Sequence, residues 1–146
     1  MEATQLRNIF EDLCSRNREL PIQWAMDIVS CTRYDGSQPS ALSVLLFGRG
    51  FHTLVAQRFS HILWIQGRTE IARYLQSLVS RKLGADIHPS AKFGHSIYLS
   101  SATGTIIGET AVVGDHVRIS HFVTLGGTGK ERGDRLGLAN YILETI

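Results

Sequence analysis

Cysteine is nearly absent. The 146 residues hold two, Cys14 and Cys31, with sixteen residues between them and no metal-ligand spacing. In a chain without a secretory signal they read as buried reduced thiols rather than a disulfide framework. The signal is missing too, because Met1-Glu2-Ala3-Thr4-Gln5 has neither a basic start nor an apolar run. No stretch approaches the ~18 apolar residues that cross a bilayer. Neither sign of charge is in excess. The net charge of +2 removes the electrostatic case for nucleic acid or an anionic membrane as partner. These absences leave a soluble, cytoplasmic chain of one domain or two small pieces. Its 43% apolar content is ordinary for a globular protein and excludes a disordered tail.

Up to Gly84 the apolar spacing is helical. Leu6, Ile9, Phe10 and Leu13 stand at i, i+3, i+4 and i+7, one stripe of a helix that Thr4 is placed to cap. Pro21 suits the first turn of a second helix running through Ile28. Ser30 to Ser40 is rich in turn formers and reads as a loop. A third helix covers Leu42 to Phe47. A fourth runs from Phe51 to Ile65 and ends at Gly67, and Ile71, Tyr74, Leu75, Leu78 and Val79 mark a fifth. These stripes, with Trp24 and Trp64, read as core packing. Arg68, Glu70, Arg73, Arg81 and Lys82 read as a solvated helix face.

At Gly84 the period changes to six. Apolar residues recur at Ile87, Phe93 and Leu99, then at Ile107, Val113, Ile119 and Leu125, and Gly94, Gly108, Gly114 and Gly126 follow four of them. This is the hexapeptide repeat of a parallel β-helix, with three steps to each coil. The step from Leu99 to Ile107 takes eight residues, so two bulge out at a coil corner. Such a bulge re-aims side chains and is a usual place to build a site. The reading is an α+β chain: a helical region over 1–84, coils over 85–130, and a divergent tail over 131–146 that forms a short helix or frays. Little more than two coils fit, where stacked repeats usually need about three with a cap at each end, so the β-helix reads as cut short. Gly126-Gly127-Thr128-Gly129-Lys130-Glu131 is not a P-loop, since Thr124 and Glu131 stand where that motif needs Gly and Ser/Thr.

Several words inside this pattern are specific: Gly50-Phe51-His52, Trp64-Ile65-Gln66-Gly67-Arg68, Asp86-Ile87-His88-Pro89, Ala102-Thr103-Gly104, Ile107-Gly108-Glu109-Thr110-Ala111-Val112, and Val123-Thr124-Leu125-Gly126-Gly127-Thr128-Gly129-Lys130 with Gly133-Asp134-Arg135. Together, from about Asp35 to Arg135, they resemble serine acetyltransferase, the hexapeptide-repeat acyltransferase that makes O-acetylserine for cysteine biosynthesis. The resemblance implies a left-handed β-helix that trimerises, with the helical part pairing two trimers. It implies acetyl-CoA as co-substrate, bound between adjacent β-helices, no metal, and direct acetyl transfer to the hydroxyl of L-serine. A serine hydroxyl is a poor nucleophile at neutral pH, so a general base must take its proton. In the family that base is the histidine of a Leu-Asp-His-Ala-Thr-Gly word. An aspartate in the position of Asp86 orients it.

The corresponding word here is Leu99-Ser100-Ser101-Ala102-Thr103-Gly104. Ser100 stands for an aspartate that helps hold the substrate, and Ser101 stands for the base. A serine hydroxyl does not accept a proton usefully near neutral pH. Leu136 stands for a second family histidine, and the coils that complete the family's CoA site have no counterpart. Asp35 and Arg135 match substrate-binding positions, and Gly127 lies in a loop close to substrate and cofactor. His88 keeps its family place and His121 matches some members. Either is a candidate replacement base or a hydrogen-bonded structural residue. Asp86 is alternatively a cap of the first coil, and Asp35 an ordinary turn residue. By the same resemblance, Ile146 enters the active site of O-acetylserine sulfhydrylase. Two functions follow: impaired acetyl transfer to serine, or a non-catalytic relative serving as an oligomerisation or partner-binding module.

Overall fold

The computed structural model describes residues 1–126 and the pair Tyr141–Ile142. Five helices come first: α1 (Ala3–Arg16), α2 (Glu19–Tyr34), α3 (Ala41–Phe47), α4 (Arg49–Ile65) and α5 (Thr69–Leu83). Two-residue strands follow: β1 (Asp86–Ile87), β2 (Lys92–Phe93), β3 (Tyr98–Leu99), β4 (Ile106–Ile107), β5 (Val112–Val113), β6 (Arg118–Ile119), β7 (Thr124–Leu125) and β8 (Tyr141–Ile142). Among the described residues, no helix is long and apolar enough to cross a membrane.

Two helix boundaries differ from the sequence reading. Glu2, not Thr4, is the N-cap of α1. The Glu2 N–H donates to Gln5 Oε1 at 3.1 Å, one arm of a capping box. Helix α2 does not stop near Ile28 but continues to Tyr34, absorbing half of the expected loop. Packing decides this. Ser30 and Cys31 are buried, and Cys31 fits against Val44 and Phe51, so a tertiary contact overrides weak local turn preference. The other thiol, Cys14, is only half-buried.

From Asp86 the chain winds through three parallel sheets in turn, ordered β1-β4-β7, β2-β5-β8 and β3-β6. The inward residue of each step is the one the period selected. Ile87, Leu99, Ile107, Val113 and Ile119 are buried, and Phe93 and Leu125 pack partly buried against them. Asp86 lies opposite Ile106, and Ile106 opposite Thr124, so the first coil takes twenty residues and the next eighteen. One further strand, β8, lies within 131–146, the segment read as a divergent tail. Tyr141–Ile142 pairs in parallel with β5, Val112 opposite Tyr141. No whole number of six-residue steps leads from Leu125 to Ile142, so periodicity passes over it.

An open coil would expose its apolar interior at the first turn. Helix α4 closes it: Leu54 is fully buried in the same cluster as Ile87, Ile97 and Leu99, with Val79 of α5 alongside. A buried leucine of this kind stabilises by roughly 1.5–3 kcal/mol. Gly50 permits the approach, because a Cβ there would collide with the Leu99 carbonyl.

One polar network joins the two parts. Arg58 of α4 donates from Nη2 to Asp27 Oδ2 at 2.8 Å and from Nε to the same oxygen at 3.0 Å. Its Nη2 also reaches the Gly94 carbonyl at 2.9 Å, and Asp27 Oδ1 accepts the Ile97 N–H at 2.9 Å. Both side chains are out of water, at 4% and 0% exposure. Burial pushes the Asp27 carboxyl pKa up, and Arg58 opposes that shift.

Replacing Arg58 by Met is expected to lower unfolding free energy by ~3–5 kcal/mol in urea titration, because a buried carboxylate loses its partner. Arg16→Met, which breaks an exposed i,i+4 pair with Asp12, is expected to cost under about 1 kcal/mol. Equal losses would refute the assignment. Burial, reinforced by Asp27 and Asp35, pushes the Cys31 thiol to about 12. Alkylation at mildly alkaline pH should therefore modify Cys14 while sparing Cys31 until the chain unfolds, as read by mass spectrometry.

Candidate active site

The eight-residue step forms the corner between β3 and β4. Ala102 and Gly104 turn it with φ of 63° and 68°. Gly104 has a second reason to be glycine, since a Cβ would press into the Phe122 ring. The corner is tied on both sides: Gly104 N–H donates to the Gly84 carbonyl at 2.8 Å, and Phe122 N–H to the Thr103 carbonyl at 2.9 Å. Tyr98 lies opposite Arg118 and Leu99 opposite Ile119. Past Ile119 the offset between coils falls from twenty residues to eighteen, and the Phe122 N–H bond to Thr103 belongs to the second register. His121 lies in this turn, one residue before Phe122.

Asp35 caps the C-terminal end of α2, and Ser100 directly follows β3. Asp35 ends α2 and accepts at Oδ1 from the Ser37 N–H at 3.0 Å and the Ser37 hydroxyl at 2.6 Å. That is a turn residue's role, and it also fixes the carboxylate. The Tyr98 phenol on β3 is influenced by both Asp35 and Ser100. Burial pushes the phenol's pKa up, Ser100 partly offsets this, and the Asp35 charge reinforces it. The phenol stays protonated near neutral pH and is not a base there. Its ring packs beside Cys31, Val44 and Phe51 and lies 6.0 Å from Tyr34. The Arg118 guanidinium covers the Tyr34 ring at 4.7 Å.

Asp86 is exposed on β1 and accepts at Oδ1 from Gln76 Nε2 at 2.6 Å, a side-chain partner from α5 rather than the backbone of its own coil. It lines a cleft of about 320 Å³ with Arg73, Gln76, His88 and Glu109. His88 Nδ1 accepts the Ser90 N–H at 3.1 Å, which places the proton of the neutral ring on Nε2. Its ring meets Trp64 edge-on at 4.9 Å. Burial pushes its pKa down, Arg73 adds to that, and Glu109 and Asp86 oppose it. His88 is thus engaged as a turn residue. Among the described residues, no hydrogen bond joins Asp86, His88 or His121 to Ser101. His121 is exposed, its ring edge-on to Phe122 at 5.5 Å. Gly127, Arg135 and Ile146 lie outside the described residues.

Sequence reasoning missed Tyr98 and Gln76. Tyr98 was findable: it stands two residues before Ser100, on the outward side of its strand, where a period of two aims both the same way. Nothing in the spacing of α5 links Gln76 to Asp86.

A helical cap over parallel strands at six-residue steps makes this a hexapeptide-repeat protein. The family model described as "Serine acetyltransferase, N-terminal" matches residues 1–56. Serine acetyltransferase 4 of Arabidopsis thaliana is 47% identical over 133 residues, covering 91% of this chain and 38% of its own. The crystal structure of Brucella abortus serine acetyltransferase in complex with coenzyme A superposes with a TM-score of 0.87 at 41% identity, covering 92% of this chain and 54% of that one. The soybean enzyme complexed with serine gives 0.85 at 39%, covering 90% and 54%. The chain belongs to the serine acetyltransferase family, and it spans about half the length, or less, of these relatives.

The depressed pKa of His88 has a pH consequence. Below the ordinary value of 6.5 the unfolded chain takes up a proton that the folded site resists. That contribution to stability is full above 6.5 and declines as pH falls toward the folded pKa. His88→Gln should flatten this part of the stability–pH curve in urea titrations. An unchanged slope would show that His88 does not set it.

Proposed function

We propose that this chain carries a serine O-acetyltransferase site, moving acetyl from acetyl-CoA to the hydroxyl of L-serine, with turnover slowed by the serine at position 101. The carrying observation is the homology of this chain, with its bulged corner at Ala102–Gly104, to enzymes solved with coenzyme A and with serine. The serine oxygen attacks the thioester carbonyl, its proton passes to a base, and the CoA thiolate leaves and is protonated. Asp35 pairs with the substrate ammonium, the Ser100 hydroxyl accepts beside it, and Arg135 takes the carboxylate. Gly127 is assigned to the CoA. His121 is the imidazole assigned to take the proton. Asp86, held by Gln76, is the carboxylate assigned to orient a base.

The same reading extends to the assembly. The strands from 85 onward form a left-handed β-helix, the helices over 1–84 join two trimers, and the protein works in the cytoplasm. Ile146 enters the active site of O-acetylserine sulfhydrylase. The parallel sheets at six-residue steps support the first of these. A second reading, a non-catalytic relative, is favoured by Ser101 and by the Gln76–Asp86 bond, which occupies one carboxylate oxygen.

Release of CoA thiol from acetyl-CoA, with and without L-serine, separates the two. Loss of a general base slows such a reaction by ~10²–10⁴-fold. Serine-dependent release is expected at that reduced level, raised by Ser101→His and lowered by His121→Ala. No serine-dependent release from either the natural chain or the Ser101→His variant would leave the non-catalytic reading.

A further inference from the structure

We propose that Ser96, His95 and Asp115 form a second catalytic site, one that hydrolyses carboxylic esters with an apolar acyl chain. The inference goes beyond the function proposed above and uses none of its residues. Ser96 and His95 turn the corner between β2 and β3, and Asp115 stands on the corner between β5 and β6. The Ser96 hydroxyl lies 3.0 Å from His95 Nδ1, and His95 Nε2 lies 3.2 Å from Asp115 Oδ2. With Nε2 directing its proton to the carboxylate, Nδ1 is left to accept the proton of the Ser96 hydroxyl. A hydroxyl, an imidazole and a carboxylate linked in that order are the nucleophile, base and orienting group of acyl transfer. They are recognised by geometry and not by their order in the chain.

Each member is held in place. Asp115 Oδ1 accepts the His95 N–H at 2.9 Å, so one carboxylate grips the histidine by backbone and by ring. Gly94 makes room for it, because a Cβ there would collide with Asp115 Oδ1. The His116 N–H donates to the His95 carbonyl at 3.0 Å, and the Ile97 N–H donates to Asp27 Oδ1 at 2.9 Å, which ties the chain on both sides of Ser96. Ser96 itself lines a groove of about 510 Å³. Ile22, Met26 and Val29, one stripe of α2, give the groove an apolar wall where an acyl chain leaves water. His116 and Arg33 carry the donors that the groove offers to an oxyanion.

The Ser96 oxygen bonds to the ester carbonyl carbon, and its proton passes to His95 Nδ1. The ester C–O bond breaks, and the alcohol leaves with that proton. Water then attacks the acyl-serine and gives a proton to Nδ1, and the acid departs as the Ser96 oxygen takes the proton back. One ester and one water become one acid and one alcohol.

The test is release of p-nitrophenol from its butyrate ester by the full chain, without CoA or L-serine. Labelling by diisopropyl fluorophosphate, located by peptide mass spectrometry, accompanies it. Release is expected to run through many equivalents, and the label is expected on Ser96. Ser96→Gly removes the hydroxyl and suits the φ of 58° at that position, so the turn is kept. Thermal melting checks the fold of each variant. Ser96→Gly is expected to abolish turnover and label, and His95→Gln to slow turnover by ~10²–10⁴-fold. A burst that stops at one equivalent, turnover that survives Ser96→Gly, or a natural chain unlabelled at Ser96 overturns the inference.

Discussion

The fold depends on a guanidinium and a carboxylate that have both left water. Asp27 and Arg58 belong to different helices, and each also bonds the coil, at Ile97 and at Gly94. Neither charge has another route to solvation, so the pair forms only when α2, α4 and the first coil are all in place. Apolar contacts would hold those elements together with some freedom to slide. A forked ion pair that also bonds two backbone groups of the coil has one geometry. What it adds is less net stability, since desolvation offsets much of the attraction, than a single docking position for the coil against its cap.

That docking carries the corner with it. Gly50, at the start of α4, lies against the Leu99 carbonyl, and Cys31 near the end of α2 packs in the same cluster as Tyr98. The distance between Asp35 and Ser100 is therefore set by how the helices seat on the coil, not by local sequence. The corner and the buried pair are parts of one arrangement: α2 supplies Asp27 to the interface in its middle and is capped by Asp35 at its end.

Periodicity made much of this legible. The inward residues of the coil and the break at Gly84 follow from side-chain spacing alone, because a six-residue step leaves few ways to bury Ile87, Leu99, Ile107, Val113 and Ile119 together. The two-residue excess before Ile107 marked the corner. What escaped was whatever depends on contacts between distant segments. Cys31 looked like part of a turn-rich loop until Val44 and Phe51 were there to bury it. Asp27 and Arg58 are unremarked charges on amphipathic helices in the linear chain. Asp86 carries a strong sequence signature, yet its partner in the structure is Gln76, which no spacing links to it. Tyr141–Ile142 joins a sheet out of phase with the six-residue count.

The extra two residues of the first coil have a further consequence. The stack is built from inward-facing side chains and from backbone groups, and Ser100 and Ser101 contribute no inward side chain to it. Gly104 and Thr103 hold the bulge through main-chain atoms, which are the same whatever side chains stand at 100 and 101. The scaffold is thus indifferent to the chemistry displayed on it. A side chain at this corner can be exchanged with little folding penalty to select against the change. Side chains displayed there can therefore change in either direction while the shape beneath them stays constant.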